Sequence, residues 1–296
     1  MIYVLALLGT VACTSENEIE EIAKSNNDPV EIKFGSSVLN LETKAINATD
    51  KFTDGDKIGV CGWEYTGETT PTPGTSAIYS DLNNAICTSD ANGNLTCAAT
   101  PLYPLDGTKL DLYAYHPRVE TLTSNKASYT LADQNDIMWA TPLKGMSKSS
   151  ANAAFSFSHK LAAISVVIKT ATGITETLNV SKITLGGYAE NATLDITDGT
   201  IAVVGDAKDV DLSITPKDLT SADQTFVTDY LVWPGIQPSF KITINNTSYD
   251  VTGISTAAAV NKKTTYTITV SGKGVAATAT ITGWDSNPVK DNGTIN

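Results

Sequence analysis

The side chains whose types and spacing could do chemistry are four cysteines and two histidines, and Cys13 comes first. Met1 to Val11 is a short apolar run that ends in Ala12-Cys13. The run is too short to span a bilayer, and a small residue set just before a cysteine is the pattern of a bacterial lipoprotein signal. The chemistry implied is diacylation of the Cys13 thiol with cleavage of the chain before it, leaving a body tethered by lipid. An ordinary secretory signal followed by an incidental cysteine is the competing reading. Cys87 and Cys97 flank Ala91-Asn92-Gly93. A three-residue hairpin loop there places the two cysteines opposite one another, and an exported compartment permits a disulfide between them. Neither these two nor Cys61 has metal-ligand spacing with His116 or His159, so no metal and no cofactor is expected.

Catalytic patterns are scarce. The chain has no G-x-S-x-G elbow, no H-E-x-x-H and no phosphate loop. Asp195-Ile196-Thr197-Asp198-Gly199 faintly resembles a calcium loop but lacks the remaining ligands. A carboxylate pair of the glycosidase kind can be invisible in sequence; the expectation is nevertheless a protein that is not an enzyme. Lys and Arg total 20 against 32 Asp and Glu, for a formal net charge of −12, and Arg118 is the single arginine. Phosphate backbones need clustered cations, so nucleic acid is excluded as a partner. No segment after Cys13 approaches the length of a membrane helix.

The elements that must carry these residues are strands. Thr, Val, Ile and Tyr alternate in short runs over Glu31–Val38, Lys57–Trp63, Lys109–Tyr115, Ala163–Lys169, Lys182–Leu185, Phe240–Ile244 and Thr265–Val270. Asp54-Gly55, Asn92-Gly93, Asp106-Gly107 and Asp198-Gly199 supply turns between runs. No helical period is sustained, although single helical turns fit near Ser76–Leu82 and Thr215–Ala222. Many short strands with regular turns predict an all-β chain of antiparallel β-sandwiches, and 296 residues suit two in tandem. Residues 1–12 read as the signal peptide and 13–28 as an acidic, flexible tether. The polar stretch Ser147–Asn152 divides the rest into an N-terminal sandwich over 29–152 and a C-terminal one over 153–296.

In order along the chain come Phe34 and Thr43-Lys44-Ala45, Asp54-Gly55-Asp56-Lys57-Ile58-Gly59-Val60, Leu112-Tyr113-Ala114-Tyr115-His116-Pro117 and Asp136-Ile137-Met138-Trp139-Ala140. Then follow Phe155-x-Phe157-x-His159-Lys160-Leu161, Val232-Trp233-Pro234, Tyr266-Thr267-Ile268-Thr269-Val270 and Ile281-Thr282-Gly283-Trp284. Taken together, and behind a lipoprotein signal, these resemble the fimbrillin family: subunits and anchors of protease-assembled pili in Gram-negative anaerobes. Without the family, Tyr113, Tyr115, Trp139 and Trp233 read as large anchors for the inner face of a sandwich. His159 reads as a structural residue at the domain junction, with no partner constellation, and His116 as a turn residue.

The resemblance implies tandem sandwiches of the transthyretin-like kind and assembly by strand exchange. A trypsin-like protease cuts after the first strand, and the groove left behind takes a strand from a neighbouring subunit, head to tail. On this chain the cut falls at Lys44-Ala45, where the family commonly has Arg before Ala. The displaced strand carries Val30, Ile32 and Phe34. The donor lies in the C-terminal tail, with Val275, Ala277, Ala279 and Ile281 alternating along it. The partners implied are other pilus subunits and the outer membrane, reached through the lipid on Cys13. The acidic Thr14–Glu21 resembles a surface-display signal of gut-commensal lipoproteins, and equally a plain solvated spacer. A second reading is a lipid-anchored surface module that binds a glycan or a host protein, with Trp63, Tyr65 and the loop Thr66–Thr75 as its platform.

Overall fold

The computed structural model describes residues 28–39, 52–73, 76–104, 107–150, 152–271 and 274–283. Two 3-10 turns, Ser80–Leu82 and Leu131–Asp133, are the helical elements among them. The strands of the first half are β1 (Phe34–Val38), β2 (Lys57–Tyr65), β3 (Ala85–Ser89), β4 (Asn94–Cys97), β5 (Lys109–His116), β6 (Lys126–Thr130), β7 (Met138–Ala140), β8 (Leu143–Met146) and β9 (Ala153–His159). Those of the second half are β10 (Ala162–Thr170), β11 (Asn179–Tyr188), β12 (Asn191–Asp195), β13 (Ile201–Val204), β14 (Lys208–Leu212), β15 (Lys217–Asp218), β16 (Gln224–Val232), β17 (Ser239–Ile244), β18 (Thr247–Asp250), β19 (Lys262–Ser271) and β20 (Gly274–Gly283). The described residues are all-β, as the alternation predicts. The helical turn expected near Thr215–Ala222 is absent: Lys217 and Asp218 instead pair with Val180 and Asn179.

The first half departs from an antiparallel sandwich. Its sheet runs β2-β3-β4-β1-β9-β7-β5, and β5 pairs back with β2 to close the ring, with β8 on the same edge of β5 as β7, at Leu110 and Leu112. In the second half β10 and β19 also pair in parallel; within the ring, strand direction explains the one exception to antiparallel pairing. A ring of neighbours that all alternate in direction needs an even strand count, and this ring has seven. One parallel pair must therefore occur, and it is β1 with β9. β9 follows the expected junction at residue 152, yet it pairs with β1 and β7 of the ring. The chain crosses to the second half at Lys160-Leu161, between the end of β9 and the start of β10.

The second half has two main sheets, β16-β10-β19-β20 and β14-β11-β17-β18, with β15 beside β11. Their apolar faces share one core, in which Phe240 of one sheet meets Tyr266 of the other edge-on at 5.3 Å. A small sheet, β13-β12-β6, ties the halves together, because β6 comes from the first and pairs with β12 from Lys126↔Asp195 to Thr130↔Asn191.

β2 and β5 are buried on both faces. Ile58, Val60, Leu110, Leu112 and Ala114 point into the ring's own core. Their alternate neighbours Cys61, Trp63, Tyr113 and Tyr115 face outward and pack into the second core. Tyr113 and Tyr115, expected as anchors on the inner face of a sandwich, therefore join the two halves. A pleated strand has only two faces, so a strand shared by two cores must be apolar on both.

Candidate functional site

β1 sits as a stave between β4 and β9. Its register is Phe34↔Leu95 on the antiparallel side and Phe34↔Ala153 through Val38↔Phe157 on the parallel side. Residues just before it extend the contact: the Ile32 amide donates to the Pro101 carbonyl at 2.9 Å, and the Tyr103 amide donates to the Val30 carbonyl at 2.8 Å. The alternation Ile32, Phe34, Val38 points inward, and all three are buried; Val30 is half-buried against the same core. Full burial of such a side chain is worth about 1.5–3 kcal/mol. Phe34 stacks on Phe155 at 5.8 Å, Phe155 meets Phe157 at 6.1 Å, and Phe52 closes the row edge-on to Phe157 at 4.8 Å.

The fourth inward position is Ser36, and it meets the tip of the β3–β4 hairpin. Its amide and its hydroxyl both donate to the Gly93 carbonyl, at 2.7 and 2.9 Å. Gly93 has φ +85, which favours glycine, and a Cβ there would lie 2.7 Å from the Ser36 carbonyl oxygen. The hairpin is held by Asp90, whose carboxylate accepts from the amides of Asn92 and Asn94 and from the Asn94 side chain. Those bonds keep the Asp90 carboxyl below its ordinary pKa, the Asn94 side chain contributing most. Cys87 and Cys97 stand directly opposite one another in this hairpin and are joined by a disulfide. One wall of the β1 slot is thus cross-linked. Ser36, Leu95 and Pro101 escape sequence reasoning as parts of this slot; Gly93 is legible in the sequence only as a turn residue, and Phe155 only as the start of the Phe155-x-Phe157 motif.

Loss of β1 would bare two strand edges at once, β4 and β9, over an apolar floor. Unpaired backbone groups beside exposed aromatic rings favour capture of another strand.

The tail residues lie elsewhere. β20 is an edge strand, paired with β19 without interruption from Ser271↔Gly274 to Lys262↔Gly283. Val275, Ala277, Ala279 and Ile281 alternate on it, and Ile281 is 46 % exposed. Cys13, Lys44 and Ala45 lie outside the described residues, as does the chain after Gly283.

Other sites weighed in the sequence resolve as structure. His159 does have a partner: its Nδ1 lies 2.5 Å from Asp136 Oδ2. Trp139 donates its indole N–H to the Ile196 carbonyl at 2.8 Å. Burial lowers the Lys160 ammonium pKa, opposed by Asp198, and that ammonium stands 5.2 Å from the Trp139 ring. The segment from Asp195 to Gly199 is a self-satisfied turn, in which Asp195 accepts from Thr197 and Asp198 from Thr200. His116 faces the Lys57 carbonyl at 3.1 Å. Trp63 is buried edge-on against Tyr113 at 5.0 Å, so it offers no flat face to a sugar. Among the described residues no three His, Cys, Asp or Glu side chains group as metal ligands, and no helix is long and apolar enough to cross a membrane.

Known proteins are similar to this chain. Fim1C of Bacteroides uniformis, named as a candidate fimbrium subunit, is 26% identical over 299 residues, covering 95% of this chain and 94% of its own. The crystal structure of a candidate cell adhesion protein from Bacteroides uniformis has a TM-score of 0.63 at 22% identity, covering 86% of this chain and 98% of that one. Another from Bacteroides ovatus has a TM-score of 0.64 at 17% identity, covering 88% and 99%. At those identities the likeness of the two structures is one of fold. The fimbrillin-like family model matches residues 43–284, and the chain belongs to that family.

Proposed function

We propose that this chain is a structural subunit of a cell-surface fimbrium that assembles by replacement of β1. The observation that carries the reading is the place of β1. It is the first strand of the described residues, it forms the ring's one parallel pair with β9, and Ile32, Phe34 and Val38 on its inward face are core residues. Cleavage between Lys44 and Ala45 severs β1 from the rest of the ring. A neighbour's tail then enters between β4 and β9 and restores both ladders. The contact is head to tail, so it propagates and does not close as a dimer. Like replaces like, so subunit concentration and kinetics control the extent. Lipid on Cys13 holds the uncut chain at the outer membrane, and cleavage frees the body from that tether. Membership of the fimbrillin-like family and the name of the Bacteroides uniformis relative support the assignment. The burial of Trp63 counts against the glycan-platform reading.

Limited trypsin treatment followed by size analysis tests the assembly step. Polymers should form from protein cut at Lys44, and should fail to form when residues 284–296 are deleted. Cut protein that stays monomeric at high concentration with its tail intact would overturn it. Cys13→Ala should release the uncut protein from the membrane fraction, and unchanged retention would rule out the lipid.

A further inference from the structure

The small sheet β13-β12-β6 stops at β13, and its core-facing side is unfinished there. Ile201 and Val203 of β13 stand opposite Leu194 and Ala192 of β12, which are buried in the second core. Ile201 still packs against that core, but Val203 is 49% exposed. Among the described residues no further strand pairs with β13.

The outer edge of β13 also leaves backbone groups open. Asp195 of β12 turns its backbone toward β13: its amide donates to the Thr200 carbonyl at 2.9 Å, and its carbonyl accepts from the Gly199 amide at 2.8 Å. Backbone direction alternates along a strand. Thr193 and Asn191 therefore also face β13, and their partners Ala202 and Val204 face back. The amides and carbonyls of Ile201 and Val203 then point away from the sheet. This open edge ends at Ile201, because the Gly199 amide is spent on Asp195 and the Thr200 amide on the Asp198 carboxylate, at 2.8 Å.

Where the edge ends, an open cavity of about 550 Å³ begins. Ile201, Pro234-Gly235 and Ala257–Val260 line it together with Lys160, the one lining side chain that carries a polar group. Burial works against the Lys160 charge, and an anion seated beside the ammonium offsets that cost. Asp198 does not cancel the field: it is held by Thr200 and lies near Lys126 as well as Lys160, so two cations stand against one acid.

We infer that β13 and this cavity together bind the C-terminal end of an extended polypeptide from a partner protein. The added strand runs antiparallel to β13, so its last residue lies opposite Ile201. That residue's amide donates to the Ile201 carbonyl, and its carboxylate accepts from the Ile201 amide and the Lys160 ammonium. Its side chain enters the cavity. The third residue from the end lies opposite Val203 and covers it. Apolar side chains suit both places, since both lie on the core-facing side; the residue between them points the other way. A chain end fits where a passing strand does not, because Thr200 and Gly199 have no open amide to offer. The partner is recognised by a free carboxylate behind two alternating apolar side chains. The site is separate from the β1 slot and requires no cleavage at Lys44.

The test uses uncut full-length protein and the peptide fluorescein-Ser-Thr-Val-Thr-Val, read by fluorescence polarisation. The free acid should bind saturably, and its C-terminal amide should bind about tenfold more weakly or worse. Lys160→Met should weaken the acid about tenfold and bring the two peptides to equal affinity. Val203→Pro removes an outward amide without costing a bond to β12, and should weaken both peptides roughly tenfold. Both variants should keep the wild-type circular dichroism spectrum and melting point, which separates lost binding from misfolding. No binding of the acid at about 1 mM protein, a Kd too weak to matter, would overturn the site, as would equal affinity of wild type for acid and amide. N-Acetylvaline that displaces the peptide at equal concentration would overturn the strand addition, since the cavity alone would then account for binding.

Discussion

Phe34 lies flat on Phe155, with ring centroids 5.8 Å apart and planes only 10° from parallel. The two residues come from the only parallel strand pair in the ring, so the stack marks the joint at which the first strand is added to an otherwise antiparallel barrel. Phe34→Ala should lower the stability of the uncut protein by about 3–5 kcal/mol, since it removes a buried ring and leaves a cavity. Phe34→Leu should cost less, under about 1.5 kcal/mol. Denaturant titration checks both, as shifts in midpoint at constant slope. A loss for Phe34→Ala within ~0.5 kcal/mol would mean that the first strand contributes little to the core.

The hairpin that grips Ser36 depends on an ionised carboxylate. The Asp90 pKa is lower folded than unfolded, so the unfolded state binds more protons as pH falls. Its contribution is therefore fully present above the unfolded pKa, near pH 4, and is lost as pH drops through the folded value. The difference in melting temperature between wild type and Asp90→Asn should be constant from pH 7 to about pH 5 and should shrink below about pH 4. A difference that grows on acidification would contradict the hydrogen-bonded role of Asp90.

Asp111 is fully buried in β5, with its carboxylate 3.0 Å from Lys144 Nζ and accepting the Gly145 amide at 2.9 Å. Lys144 also contacts the Tyr113 hydroxyl, and its side chain is 49% exposed. The pair pins β8 to β5. Lys144→Met strands a buried carboxylate and should cost about 3 kcal/mol or more, whereas Asp111→Asn leaves a cation that water can reach and should cost less. Thermal or chemical denaturation of the two variants gives the order. The reverse order would show that the amide bond from Gly145, and not the cation, satisfies Asp111.

Turn chemistry was the most legible part of the sequence. Gly55, Gly93 and Gly199 all take positive φ where Asp-Gly or Asn-Gly predicts a turn, and Cys87 faces Cys97 because the Asn92-Gly93 turn sets that register. Closure of the ring was not legible. The alternation in Phe34–Val38 says that one face is buried, but not that the strand lies between Leu95 and Ala153. Those are pairings between residues far apart in the chain, and no local preference encodes them. Tyr113 and Tyr115 were legible as anchors, but their core was not, because a strand apolar on both faces does not say which face meets which partner. Asp111 gave no signal at all: an acid in mid-strand reads as a solvent-facing position until Lys144 is placed beside it.

Cys61 is a free thiol with no access to solvent, and burial pushes its pKa up to about 12. The thiolate is the reactive form, so a thiol reagent should not label Cys61 in the native protein at pH 8. Labelling should appear only with unfolding and should follow the global unfolding rate. Fast labelling of native protein would show that the face shared by β2 and the second core opens locally.

The central claim is that the β1 slot is the assembly site, and the stoichiometry of exchange tests it most directly. Protein cut between Lys44 and Ala45 should be followed by native mass spectrometry, counting subunits and retained N-terminal fragments in each species. Every added subunit should be matched by loss of one fragment, so that a polymer keeps at most the single fragment whose slot has no donor. Polymers in which each subunit still holds its fragment, or fragment loss that leaves stable monomers, would contradict the account.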